Sequence, residues 1–315
     1  MKTLLTIGET LACFLPDGPG PLRYVDRYRL TLAGAESNVA IDAAKLGVPA
    51  RWFSRLGRDE FGAFVRNRIR AEGVDCGDVV LDGERPTGLM FKQTGGGETR
   101  VTYYRAGSAA SGLQPEDLTP ALFEGVGLLH LTGITPVLSE SCRRTVLRAV
   151  QMARERQIPV SFDPNIRRKL WHGTDHSALL RELSLQSAVL LLGREEAEAL
   201  FGTGEIGALC AAVSGSAVQV IALKDGARGC TIAEPGGPAF PIPPWPCACV
   251  EPVGAGDAFN AGFLAGWMRG LPPDVCGRMG AVAGAMATET PGDVEGAPTK
   301  EQMETALSGQ AEIFR

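Results

Sequence analysis

The sequence predicts an α/β protein with a mostly parallel central sheet, helices on both faces of that sheet and a small additional β layer. Two observations favour this fold class. Short apolar runs of strand length alternate with longer segments of helical periodicity, as in consecutive strand–helix units of a parallel sheet. Residues 11–33 and 86–106 interrupt this alternation, because they contain strand-like pieces and no helix. The length of 315 residues allows one large domain of this kind.

The elements of the main sheet follow one another along the chain. The first strand spans residues 4–7, and the first helix spans residues 37–46, with Ser37 as its N-cap and Gly47 as its stop. The later elements are strand 51–54, helix 59–72, strand 128–131, helix 139–157, strands 160–162 and 188–192, helix 194–201, strand 218–223, and helices 256–269, 273–288 and 299–307.

The two helix-free segments predict a separate β lid. Their strand-like pieces are residues 28–32, 88–93 and 100–104. We expect both segments, 11–33 and 86–106, to leave the main sheet at one end and to pair with each other. Residues 1–10, 34–85 and 107–315 then form the large α/β domain.

Composition and charge exclude several classes of function. The net charge is −5 with a pI near 5.4, which argues against a nucleic-acid-binding protein. No run of about 18 apolar residues is present, so we expect no membrane association. The eight cysteines contain no CxxC pair, and no metal-ligand set is apparent. We therefore expect reduced, buried thiols in a cytoplasmic protein.

The segment 251–264, Glu-Pro-Val-Gly-Ala-Gly-Asp-Ala-Phe-Asn-Ala-Gly-Phe-Leu, is the strongest motif. Gly254, Ala255 and Gly256 form a turn of small residues that opens an apolar helix, where consecutive N–H groups create an anion hole. Asp257 lies in the first turn of that helix, where a carboxylate can take the proton of a hydroxyl during phosphoryl transfer. The alternative is an Asp that only caps the helix.

The segment 33–40, Ala-Gly-Ala-Glu-Ser-Asn-Val-Ala, is a second motif of small residues at a helix entry. Gly34 and Asn38 in this setting suit a polyhydroxy ligand that lies against the backbone. The alternative is a tight turn followed by an Asn cap.

Together the two motifs resemble the two signatures of the PfkB, or ribokinase-like, family of carbohydrate kinases. The resemblance runs from about residue 3 to about residue 300 and includes segments 57–62, 163–165, 224–229 and 292–293. It implies a ribokinase-like fold, with Asp257 as general base and Gly254, Ala255 and Gly256 as the anion hole. The signatures of P-loop and protein kinases do not occur in the chain.

Within that family, segments 103–111 and 162–171 resemble 2-keto-3-deoxygluconate kinases. That substrate carries a carboxylate, and Arg105 and Arg167 are candidates to hold it, with Tyr103 as a further donor. The resemblance also places Gly34 and Asp293 beside the sugar acid. Ordinary ion pairing of the two arginines is the alternative for these residues.

Two other functions stay open from the sequence. Fructokinases of the same family share the segment around Arg167, so a fructokinase is the nearest alternative. A sugar-acid-binding protein without catalytic activity is the more distant one, and the intact segment around Asp257 argues against it.

For the nucleotide, the resemblance implies ATP over Lys224, Gly226, Gly229 and Gly256. It places Asn165 and Glu196 near the phosphates or Mg²⁺. A dimer formed through the lid is also implied.

Four positions depart from the family pattern. Gly193 replaces the usual Asn three residues before Glu196, and Met90 replaces a frequent Tyr. Glu251 and Pro252 replace Asp-Thr in a loop that helps to coordinate a monovalent cation in relatives, so a K⁺ requirement stays open.

Overall fold

The computed structural model describes residues 1–18, 20–95, 98–171 and 173–309. Residue 19 and residues 96–97 of the two predicted lid segments lie outside the described residues, as do residue 172 and residues 310–315 at the end of the predicted large domain. The remaining chain confirms the α/β fold class. Its central sheet runs β14-β13-β12-β11-β10-β9-β1-β4, parallel from β12 to β4 and antiparallel at β13 and β14. These strands are β1 (Thr3–Ile7), β4 (Ala50–Phe53), β9 (Val126–Thr132), β10 (Val160–Asp163), β11 (Val189–Gly193), β12 (Val220–Lys224), β13 (Cys230–Ala233) and β14 (Ala239–Ile242).

Helices cover both faces of the central sheet because its strands alternate apolar side chains between two cores. In β11, Leu190 and Leu192 pack into one core, while Val189 and Leu191 pack into the other. The first core receives α3, α4, α5 and α6, and the second receives α1, α7, α8 and α9. The helices are α1 (Ala35–Lys45), α2 (Glu60–Ala71), α3 (Glu140–Glu155), α4 (Ser177–Gln186), α5 (Arg194–Phe201), α6 (Ile206–Ala212), α7 (Ala255–Trp267), α8 (Pro273–Ala287) and α9 (Lys300–Ser308).

Some local predictions are wrong. Ser37 does not cap α1, because the helix begins two residues earlier after Gly34, and the Ser37 hydroxyl donates to the Gly34 carbonyl oxygen at 3.0 Å. Helices α4 and α6 are absent from the predicted elements. Cys247 and Cys249 are exposed rather than buried, because they lie on a surface segment without helix or strand.

A second sheet of four strands has the order β3-β2-β7-β8. Two antiparallel hairpins, β2–β3 and β7–β8, join through the parallel pair β2–β7, with Ala12 opposite Leu89. We call these four strands the lid sheet; they are β2 (Leu11–Pro16), β3 (Tyr28–Ala33), β7 (Leu89–Gly95) and β8 (Glu98–Tyr104). A short parallel pair, β5 (Arg55–Gly57) and β6 (Val80–Asp82), lies apart from both sheets.

Polar residues gather at the carboxyl ends of the central strands. Asp163 ends β10, Gly193 ends β11 and Lys224 ends β12, with Gly193 and Lys224 paired in register. Open parallel sheets bind ligands at this edge. None of the helices in the described part of the chain combines the length and apolar composition that a membrane span requires.

Candidate active site

Two cavities meet at Asp257. The lid-side cavity, of about 250 Å³, lies between the lid sheet and α1, and the sheet-side cavity, of about 400 Å³, lies over the carboxyl ends of β10–β12. Arg167, Val253, Gly254 and Asp257 line both cavities. Asp257 and the turn at Gly254 therefore face both cavities.

The turn before α7 requires glycine at position 254. Gly254 has φ +82°, and a Cβ atom there would lie 2.3 Å from the backbone oxygen of Asp293. The backbone therefore packs directly against the Asp293 loop. The first-turn N–H groups of α7 lie beyond this residue, where the helix dipole favours negative charge. The structure thus brings Gly254, Ala255 and Gly256 to the place where an anion hole is expected.

Asp257 is half-buried at the junction of the two cavities. Its Oδ2 accepts a hydrogen bond of 2.9 Å from Asn38 Nδ2 on α1. Burial raises the pKa of Asp257 from 3.8 to about 7, the negative charge of Asp163 adds to the rise, and the Asn38 hydrogen bond opposes it. A carboxyl group with this pKa can accept a proton near neutral pH and release it again.

A hydrogen-bonded ion pair forms the floor of the sheet-side cavity. Lys224 Nζ donates to Asp163 Oδ2 at 2.8 Å and to Asn260 Oδ1 at 3.1 Å, and Asn260 Nδ2 donates to the same Asp163 oxygen at 2.6 Å. Burial alone would raise the pKa of Asp163, but the Lys224 ammonium and the Asn260 amide hold it below its usual value. Lys224 therefore stays charged.

Asn165 and Glu196 both line the sheet-side cavity, but their side chains differ in hydrogen bonding. Asn165 has φ +39°, and its side-chain Oδ1 is buried without a hydrogen-bond partner in the described part of the chain. Glu196 accepts the backbone N–H groups of Ile166 and Gly193, each at 2.8 Å, and so braces the loops on both sides of the cavity. Glu196 binds the backbone N–H of Gly193 and needs no side chain at that position. The replacement of the family's usual Asn by Gly193 therefore leaves this contact intact.

A third cavity, of about 330 Å³ and mostly apolar, adjoins Lys224. It has the predicted glycines Gly226, Gly229 and Gly256 in its wall, together with Trp245 and Phe259. The lining suits a flat, largely apolar ring, and Lys224 and Gly256 connect this cavity to the sheet-side cavity.

The two predicted arginines differ in their surroundings. Arg105 lies in the lid-side cavity beside Tyr103, and its Nε donates to Glu9 Oε2 at 2.7 Å. Arg105 therefore forms an ion pair within the protein, as the alternative interpretation expected, and its partner Glu9 is buried. The Arg167 side chain is exposed and makes no hydrogen bond or ion pair with any residue that the structure describes, although its charge opposes the rise in the pKa of Asp257.

Three charged residues of the lid-side cavity are absent from the predicted set. Glu9 pairs with Arg105, Glu36 accepts hydrogen bonds from Thr132 and Thr135, and Lys92 pairs with Asp293. Glu36 belongs to the small-residue motif at the start of α1, so its position in that motif was the available signal. The partners of Glu9 and Lys92 lie 96 and 201 residues away in the chain, and no local pattern points to them.

Comparisons with known proteins find similar sequences over nearly the whole chain. The family model described as "pfkB family carbohydrate kinase" matches residues 1–300. The chain is 32% identical to a 2-dehydro-3-deoxygluconokinase of Bacillus subtilis, over 99% of this chain and 97% of the relative. It is 31% identical to a fructokinase of Klebsiella pneumoniae, over 96% of this chain and 98% of the relative.

One solved structure shows the same fold. A putative ribokinase II of E. coli, in complex with ATP and Mg²⁺, superposes with a TM-score of 0.91 at 22% identity and covers 98% of this chain and 100% of its own.

Proposed function

Since this chain belongs to the PfkB family and is a carbohydrate kinase, we propose that it transfers the γ-phosphoryl group of ATP to the terminal hydroxyl of 2-keto-3-deoxygluconate, yielding 2-keto-3-deoxy-6-phosphogluconate. One observation carries the proposal. Asp257, with a pKa of about 7, lies where the cavity that contains Arg105 and Arg167 meets a cavity that ends in the turn at residues 254–256.

The sugar acid occupies the lid-side cavity, with its terminal hydroxyl against Asp257. The ionised carboxylate takes the hydroxyl proton while the hydroxyl oxygen forms a bond to the γ-phosphorus and the bond from that phosphorus to the ADP oxygen breaks. The N–H groups of the turn at residues 254–256 stabilise the negative charge on the phosphoryl oxygens. Asn38 holds Asp257 in place by the 2.9 Å hydrogen bond.

The nucleotide occupies the sheet-side and apolar cavities. Lys224 lines both, so its ammonium group is suited to contact the phosphates while the base lies near Trp245. The buried Oδ1 of Asn165 lacks a partner among the described residues and, with the Glu196 carboxylate, fits the oxygen ligands that Mg²⁺ prefers. Mg²⁺, when bound, neutralises charge on the phosphates.

The choice of a sugar acid rests on charge. The two relatives, a sugar-acid kinase and a fructokinase, are almost equally similar to this chain, so identity alone does not separate the substrates. A carboxylate would meet Arg167, which has no partner among the described residues, and the N–H groups of Arg105 that Glu9 leaves free. Fructose, which is neutral, would offer the Arg167 guanidinium group no carboxylate. A fructokinase is the second candidate.

A substrate panel tests this proposal. ADP release is measured with ATP and Mg²⁺ for 2-keto-3-deoxygluconate, 2-keto-3-deoxygalactonate, 2-ketogluconate, fructose and ribose. We expect kcat/KM for 2-keto-3-deoxygluconate to exceed that for fructose by at least about tenfold, or about 1.4 kcal/mol. A higher kcat/KM for fructose would favour the fructokinase, and binding of the sugar acid without ADP release would favour a protein that only binds it.

A further inference from the structure

Lys92 is a fully buried lysine on strand β7 of the lid sheet. Its ammonium group donates to Asp293 Oδ1 at 2.5 Å and lies 3.3 Å from Glu251 Oε1. Burial works against its charge, but the carboxylates of Asp293 and Glu251 hold the pKa of Lys92 above its usual value. Lys92 therefore joins the lid sheet to two loops of the large domain through a charged contact.

Both carboxylates belong to the loops that shape the anion hole. Glu251 lies three residues before Gly254, and its Oε2 accepts the backbone N–H of Gly292 at 3.0 Å. Asp293 follows Gly292, and its backbone oxygen is the atom against which Gly254 packs. A displacement of either carboxylate is therefore transmitted to the turn at Gly254.

We propose that Lys92 is a positioning residue for phosphoryl transfer, because its ammonium group holds Glu251 and Asp293 together and so fixes the turn at Gly254 when β7 lies against these loops. The inference rests on the proposed function, since it presumes that this turn stabilises the phosphoryl group. Without the ammonium group, two neighbouring carboxylates in a buried setting repel each other. The same contact makes the anion hole dependent on the position of the lid sheet, because Lys92 comes from that sheet.

The test compares Lys92→Met, Lys92→Arg and the double variant Lys92→Met/Glu251→Gln. We expect Lys92→Met to lower kcat by about 10- to 100-fold, the cost of a misplaced catalytic group. The KM for ATP should stay within about twofold of the wild-type value, because Lys92 does not line the sheet-side or the apolar cavity. Lys92→Arg keeps the charge and should recover most of the lost kcat.

The double variant separates positioning from general damage to the fold. Replacing Glu251 by Gln removes the repulsion that Lys92→Met creates, so the double variant should be faster than Lys92→Met alone. Arg29→Met, which removes an exposed cation from β3 of the same lid sheet, is the matched control and should keep the wild-type kcat.

The assay uses whichever sugar of the panel gives the highest kcat/KM, so a wrong substrate assignment does not affect the result. Wild-type kcat in Lys92→Met would overturn the proposal, as would a low kcat that neither Lys92→Arg nor the double variant improves. Should Lys92→Met fail to fold, the single variant Glu251→Gln replaces it. Glu251→Gln weakens the contact between Lys92 and residue 251, so it should lower kcat and leave the KM for ATP unchanged. An unchanged kcat would overturn the proposal.

Discussion

Arg167 and Arg105 contribute differently to the charge of the lid-side cavity. The sequence offers both as candidates for holding a carboxylate, with Arg167 the less specific of the two because fructokinases share its segment. In the structure, the charge of Arg105 is balanced by the buried Glu9, whose other oxygen accepts the Ser108 hydroxyl. Arg167 has no partner among the described residues and lies where both cavities meet. Arg167 has no hydrogen-bonded carboxylate among the described residues, so its guanidinium group is more available to an acid substrate than that of Arg105.

Arg167→Ala should lower kcat/KM for 2-keto-3-deoxygluconate far more than for fructose. A charge-assisted hydrogen bond contributes roughly 1.5–3 kcal/mol, or about 10- to 150-fold in kcat/KM. The weak activity with neutral fructose should change little, since fructose has no carboxylate to lose. Steady-state kinetics with both sugars at saturating ATP gives the ratio of the two losses.

Arg105 serves as the comparison in the same assay. Arg105→Ala also leaves Glu9 buried without its cation, so its effect is measured in a Glu9→Gln background, which removes the stranded charge. Equal losses for the acid and for fructose in Arg167→Ala would show that Arg167 contacts the phosphates instead of the sugar carboxylate. In that case Arg105→Ala in the Glu9→Gln background should lower kcat/KM for the acid more than for fructose. If that variant also shows equal losses, the substrate assignment is contradicted.

The lid sheet forms one wall of the lid-side cavity, where we propose that the sugar binds. Its strands come from segments 11–33 and 86–106, and Leu11, Ala33, Met90 and Tyr103 all line the lid-side cavity. On its other face, Phe14 stacks on Phe91 with ring centroids 4.6 Å apart. Side chains therefore alternate between the cavity and this aromatic cluster, as the pleat of a sheet requires. That the sheet closes over bound sugar stays a prediction.

Amide hydrogen exchange tests lid closure. We expect exchange to slow in the described parts of both segments when the sugar acid and a non-hydrolysable ATP analogue bind together, because closure excludes water from the reacting groups. Helix α3 packs on the opposite side of the central sheet from α1 and α7 and should not change. Unchanged exchange in both lid segments would show that the sheet is a fixed wall.

Over the whole molecule, the site is assembled from distant parts of the chain. Asn38 and Asp257 are 219 residues apart, and they meet because α1 and α7 pack on the same face of the sheet. The two small-residue motifs and the resemblance to a known family predicted both residues, but neither the spacing nor the local pattern shows that they touch. The expected dimer through the lid and the cytoplasmic location remain predictions at this scale.

The fold was largely predictable from the sequence, because alternating strand and helix patterns are local. The contacts of charged residues were not. Lys92 occupies a strand in a lid segment, and a lysine there is expected at the surface. In the structure it is fully buried and forms ion pairs with Glu251 and Asp293. The ion pair of Arg105 was equally unpredictable, because its partner Glu9 lies 96 residues earlier in the chain. Long-range ion pairs depend on packing that no local pattern encodes.

The central claim is that Asp257 acts as the general base, and the pKa of Asp257 determines the pH at which this claim is tested. Asp257 accepts the proton only when it is ionised, so activity should fall as the pH drops through about 7, where the carboxyl becomes protonated. At pH 8 most of the wild-type enzyme carries the ionised base. Asn at position 257 keeps the size of the side chain and cannot take a proton at any of these pH values.

The most direct test is therefore the kcat of Asp257→Asn at pH 8, measured with saturating ATP, Mg²⁺ and the best sugar of the panel. We expect kcat to fall by about 10²- to 10⁴-fold, the usual contribution of a general base, while calorimetry shows that the variant still binds nucleotide. A variant that keeps most of the wild-type kcat would show that Asp257 is not the base, and the mechanism proposed for this site would be wrong.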